Sequence, residues 1–205
     1  ILALTLAGDE LAQMLAGFTM ATAGALVVFA LGRRYVSRDV GTLAALIFLS
    51  MNVTQFLVPT AKVNLGWAFL DLLAVYAVAR WGLESPHQHR WLFPAGVISG
   101  LALGTFYSAA FTVLLLGMGI IVVSWKMGAA RALRNAVIYG MPVLLLGAPW
   151  LARNWVDMGN PVFPVLNPLF GIPPVELFRY GANHPLGVFT APWEMATGFI
   201  AGSFS

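Results

Sequence analysis

The chain has no cysteine, and only 9% of its 205 residues are charged. The missing thiols exclude disulfides and thiolate zinc sites, and they leave the redox compartment unread. The scarcity of charge excludes more. A soluble domain carries about a quarter charged residues, and so few cannot keep a surface wet. The net charge of +3 forms no basic stripe interleaved with aromatics, so a nucleic-acid partner is not expected. No charged segment precedes a short apolar stretch, so no signal peptide is read. Ile1 rather than Met opens the chain, and Gly198 to Ser205 close it inside an apolar stretch. The expectation is a fragment of a longer protein.

Apolar sequence takes the place of charge. Hydrophobic residues make up 60% of the chain and the mean hydropathy is +0.83. Several runs approach the roughly 20 residues that cross hydrocarbon as a helix. The fold class expected is all-α, a polytopic transmembrane bundle whose partner is the lipid bilayer. Leu11 to Gly32 is uncharged and is followed at once by Arg33, Arg34 and Arg38; Val40 to Ala61 is uncharged again. Lys62 to Arg80 holds one interior charge, Asp71, and Asn135 to Ala152 is the last clear run. Trp91 to Trp125 is too long for one crossing. As a single helix it would measure about 52 Å against a hydrocarbon core of about 30 Å. Gly100, Gly104 and Thr105 offer a break that would give two short helices meeting near Phe106 and Tyr107.

The distribution of basic residues selects the broken form. With two crossings there, Arg33, Arg34, Arg38, Arg80, Arg90, Lys126, Arg131 and Arg134 share one face. Only Lys62, Arg153 and Arg179 of the 11 Lys and Arg residues are left on the other. Six spans follow, near 11–32, 40–60, 62–80, 91–104, 106–125 and 134–152, with the basic face cytoplasmic. Residues 156–205 then form an external proline-rich loop segment, in which Pro161, Pro164, Pro168, Pro173 and Pro174 fix the backbone and remove donors. Trp150, Trp155 and Trp193 suit the interfacial belt.

Several residues on the outer face have the right chemistry for a site, and each has a plainer reading. Lys62 and Arg153 are cations near the membrane surface, where a phosphate would meet them; both also fit interfacial snorkelling. Arg153 has the planar fork that suits bidentate phosphate contact. Asn154, Asn160 and Tyr107 are polar neighbours on that face, and His184, beside Asn183, is a possible acceptor-side group. Asn160-Pro161 is also a turn initiator in a re-entrant loop. Asn64 and Asp71 are seven apart and share a helix face. Either they form a polar track toward the outer face, or Asp71 is a protonated or hydrogen-bonded packing residue. His87 and His89 lack a third ligand and read as a solvated turn rather than a metal site.

The motif order carries a resemblance. Arg153-Asn-Trp155, Gly159-Asn-Pro-Val-Phe-Pro164 and Leu166-Asn-Pro-Leu-Phe-Gly171 resemble bacterial multi-pass glycosyltransferases of the GT-C superfamily. These are relatives of the protein O-mannosyltransferases and of transferases that use polyprenyl-phosphate sugars. Leu31-Gly-Arg-Arg-Tyr35 with Gly41-Thr-Leu-Ala-Ala45 resembles the family's first cytoplasmic turn. Ala95 to Thr105 resembles its glycine-rich short helix, and Ala191-Pro-Trp193 after Gly181-Ala-Asn-His-Pro185 resembles a later external loop. The resemblance implies a bacterial inner-membrane protein that transfers a sugar from a polyprenyl-phosphate donor to an extracytoplasmic acceptor. Arg153, Asn154, Asn160, Lys62, Asn64, Tyr107 and His184 would line the substrate site. It also implies a catalytic acidic residue in an external loop upstream of Ile1. Asn64 stands where the family commonly has Asp, and Phe106 where it often has Lys. No cofactor is identified; a divalent metal fits such chemistry, but no ligand set is legible. The rival readings are a transporter or lipid flippase with Asp71 as coupling residue, and a non-catalytic membrane scaffold.

Overall fold

A computed structural model describes residues 10–60, 63–84, 89–163 and 167–171. Among these residues the chain is helical, with no strand. It divides into two compact units, 1–151 and 152–205. The helices are α1 (Glu10–Tyr35), α2 (Arg38–Ser50), α3 (Asn52–Thr60), α4 (Val63–Glu84), α5 (Leu92–Thr105), α6 (Ala109–Trp125) and α7 (Ala129–Met158). Stretches Met14–Tyr35, Asn64–Glu84 and Ala129–Met158 are long and apolar enough to cross a membrane, and the bent pair α2–α3 makes up to four. At 1.5 Å per residue α5 and α6 reach only about 21 and 26 Å. Large apolar side chains such as Phe18, Leu26, Leu43, Phe111 and Leu115 point outward, each about 60% or more exposed. A water-facing domain does not carry that much exposed apolar surface.

Breaks between helices follow local chemistry. After α1, the extended Ser37 caps α2, its hydroxyl accepting from Val40 N–H at 3.2 Å, and Asp39 adds negative charge to the first turn. The run expected as one span over 40–60 is two helices meeting at Met51 with a bend of 59°. Ser50 Oγ there donates to Ile47 O at 3.0 Å, alongside the Met51 N–H that bonds the same carbonyl. Ser50 thus competes with the helix for one of its own carbonyls, at a break that hydropathy does not mark. The interruption expected near Gly104–Tyr107 is observed. Phe106 is extended, and its N–H closes α5 on Ala102 O before α6 begins at Ala109. Gly128, at φ +111°, supplies the turn into α7.

Within unit 1, successive passes alternate in direction. Gly32 lies against Gly41, Gly24 against Phe48 and Gly17 against Val58, so α1 runs antiparallel to α2 and α3. The missing side chains let the backbones approach closely, as in membrane helix pairs generally. A second glycine seam joins α5 to α7. Gly96 faces the Tyr139 carbonyl, and Gly100 faces Pro142 and Val143. The main core sits where α4, α5, α6 and α7 meet, around fully buried Trp81, Leu92 and Ile120. Two interior polar contacts tie it together. Asn135 Nδ2 donates to Ser124 Oγ at 2.9 Å, and Tyr139 Oη bonds Ser99 Oγ at 3.1 Å.

Candidate functional site

The alternating passes sort chemistry to the two ends of unit 1. One end takes Arg33, Arg34, Arg38, Arg80, Arg90, Lys126 and Arg131, which close or open α1, α2, α4, α5, α6 and α7. The opposite end is aromatic and polar. There the first turn of α4 holds Asn64, and Trp67 follows one turn later, against the α5–α6 break. The Trp67 and Phe106 rings lie 5.1 Å apart, and Phe106 and Tyr107 4.7 Å apart, both pairs tilted. All three rings are half-buried. One further turn down α4, the Asp71 carboxylate accepts from Thr112 Oγ1 at 2.6 Å, bridging α4 to α6. Asn64, Trp67 and Asp71 therefore form a stripe on one face of α4, directed at the interrupted helix pair.

Of the residues singled out in the sequence, Asn64 and Tyr107 belong to this end of unit 1, while Arg153, Asn154 and Asn160 belong to unit 2. Lys62 and His184 lie outside the described residues, as does the proline-rich segment beyond Gly171. Arg153 was expected to follow the last helix. Instead α7 runs on to Met158 and ends at Gly159, whose φ of +67° and N–H to Trp155 O form a glycine C-cap. Arg153 thus sits within the helix, 80% exposed, with Nε 3.3 Å from Asp157 Oδ2 one turn later. Asn154 Nδ2 donates to Pro161 O at 3.4 Å, and Asn160 Oδ1 accepts Val162 N–H at 2.9 Å from a fully buried position. The two amides therefore brace the turn that follows α7, an Asx-type arrangement. Trp155 packs edge-on to Phe170, 6.4 Å between centroids.

Sequence reasoning missed a carboxylate with several partners. Glu84, at the end of α4, accepts two bonds from the Arg34 guanidinium, one of them at 2.7 Å, and a third from Tyr35 Oη at 3.1 Å. Arg80 Nε lies 2.8 Å from the same carboxylate. Its guanidinium stacks 4.6 Å from the Trp91 ring centroid and donates to Tyr76 Oη at 3.1 Å. The i,i+4 spacing of Arg80 and Glu84 was the available signal. Trp67 and Thr112 were likewise missed, having no polar run to mark them. Among the described residues no three His, Asp or Glu side chains converge as a metal site would need. No family model, curated protein or solved structure matches the chain.

Proposed function

We propose that the chain is an integral membrane glycosyltransferase-like protein that takes its sugar from a polyprenyl-phosphate donor on the extracytoplasmic side. It crosses a bacterial inner membrane six times, with the arginine-rich end cytoplasmic and the segment after α7 outside. One observation carries the reading: the aromatic and polar stripe of Asn64, Trp67, Phe106 and Tyr107 gathers at the end opposite the arginines. A polyprenyl phosphate lies with its head at the bilayer surface and its chain in hydrocarbon. Half-buried rings offer flat apolar faces to the C–H face of a sugar, and adjacent amides and hydroxyls offer hydrogen bonds to its edges. The motif order gives the reaction class. In unit 2, Arg153 pairs through Nε with Asp157, which leaves the Nη edge of its fork for a phosphate.

A transporter using Asp71 as its coupling residue is the second reading, favoured by that carboxylate's position between α4 and α6. Its partner there is a hydroxyl rather than a cation.

Binding of a polyprenyl-phosphate hexose to the chain in detergent micelles tests the proposal. The lipid phosphate sugar should bind at least tenfold more tightly than the corresponding polyprenol, since the alcohol lacks the charge-assisted contacts. Arg153→Lys should weaken it by about ten- to a hundredfold, because a point charge replaces a planar fork. Equal affinity for the phosphate and the alcohol removes the function; unchanged affinity in Arg153→Lys removes that residue from the site.

A further inference from the structure

At the arginine-rich end a cleft of about 740 Å³ opens between the last two turns of α1 and α4. Phe29 and Ala30 form its apolar floor, Tyr35, Tyr76 and Leu83 line its sides, and its mouth carries Arg33, Arg34 and Glu84. From Phe29 to Arg34 is five residues, so floor and mouth are separated by about 7.5 Å along the helix. The charges do not balance. Arg33, Arg34 and Arg80 supply three cations, and Glu84 is their one carboxylate partner among the described residues. Glu84 is engaged by Arg34, Tyr35 and Arg80 together, while Arg33 is exposed and forms no ion pair there. Arg80 does not itself line the cleft, so the mouth, with Arg33 and Arg34 against Glu84, has one positive charge to spare.

We propose that this cleft is a binding site for an anionic phospholipid, with its phosphate at the Arg33 and Arg34 guanidinium groups and an acyl chain laid over Phe29, Ala30 and Leu83. Three observations fix that occupant. The cleft lies where two helices of membrane-spanning length end, the level at which phospholipid phosphates sit. Its surplus charge is positive, and basic pockets between transmembrane helices select anionic headgroups. Its α4 side is open, Leu83 being 70% exposed, as a chain lying in hydrocarbon requires. A soluble phosphate ester would satisfy the arginines and leave that apolar floor bare. The site is independent of sugar transfer, because the stripe proposed to meet the donor is at the other end of the unit.

Native mass spectrometry of the full chain in detergent, titrated with palmitoyl-oleoyl phosphatidylglycerol or phosphatidylcholine, tests it. Phosphatidylglycerol should bind about fivefold more tightly: both headgroups offer a phosphate, but the quaternary ammonium of phosphatidylcholine cancels its net charge, and one surplus arginine then finds no net anion to attract. Arg33→Gln removes charge at an exposed position, and Ala30→Trp fills the floor without altering charge. Each should bring phosphatidylglycerol close to the phosphatidylcholine affinity while leaving polyprenyl-phosphate binding unchanged. Millimolar glycerol 3-phosphate should not displace the lipid. Equal affinity of the unmodified chain for the two phospholipids overturns the proposal without recourse to any variant. So does full phosphatidylglycerol binding by Ala30→Trp, or displacement by glycerol 3-phosphate, which would reduce the cleft to a surface anion site.

Discussion

Gly96→Ala is the most exposing single change in unit 1. A Cβ at Gly96 would fall on the Tyr139 backbone carbonyl, and one at Gly100 would lie 2.9 Å from both Pro142 O and Leu146 Cβ. Ordinary contact begins near 3.4 Å, so at Gly100 the two helices must separate by about half an ångström, and at Gly96 by more. Backbone carbonyls inside a helix cannot swing aside as a side-chain tip can. Separation on that scale forfeits a quarter or more of the dispersion attraction along the seam. It also loosens the Tyr139–Ser99 bond that crosses it. The expected cost is about 1–3 kcal/mol, a five- to hundredfold rise in the unfolding constant. Gly140→Ala, on α7 itself, is the control. A Cβ there meets nothing within 4 Å, so helix propensity alone acts and stability should rise by about 0.5–1 kcal/mol. Titrating the purified chain from mild detergent into dodecyl sulfate, with near-ultraviolet circular dichroism of its 7 tryptophans as signal, measures both. If the two glycine variants shift the midpoint in the same direction and by the same amount, close packing at this seam is not what holds α5 to α7.

Further outcomes follow from the same structure. The chain has no cysteine, so single cysteines at Ser37 and Ser108 report on opposite ends of unit 1 without background. An impermeant reagent applied to intact cells should label position 108 and reach 37 only after rupture; labelling of both from outside defeats the alternating arrangement. Ser124→Ala and Asn135→Ala should be coupled by about 0.6 kcal/mol in a double-mutant cycle, the usual size for a buried interhelical bond in a membrane protein. Additivity would mean that the 2.9 Å contact contributes nothing.

What the sequence could reveal depended on whether the cause lay along the chain or across it. The long run from Trp91 to Trp125 announced its own interruption, because its length exceeds a bilayer and glycines cluster at the middle. The break at Met51 left hydropathy untouched, since Ser50 acts through a hydrogen bond that a composition window averages away. α4 extends to Glu84, four residues past the expected end at Arg80, because Arg34 and Arg80 neutralise that carboxylate. α7 likewise passes through Arg153, with Asp157 one turn on. In the candidate site, Asn64 and Tyr107 were legible as polar groups at span ends. Trp67 and Thr112 were not, because only the pairing of α4 with the α5–α6 break gives them partners. The arginines were read as markers of orientation, and the carboxylate that organises two of them is 50 residues from Arg34.

That separation has a consequence in time. The chain emerges at about 5–20 residues per second, so Arg34 leaves the ribosome roughly 3–10 s before Glu84 does. For that interval the hairpin of α1 with α2 and α3 has its glycine seam but lacks the carboxylate that ties its basic end to α4. A chain halted between these positions would present Arg33 and Arg34 without the Glu84 carboxylate, facing whatever anions line the membrane surface. Closure of the Arg34–Glu84 pair thus waits on the end of α4, whose arrival is the step that turns an inserted hairpin into part of a bundle.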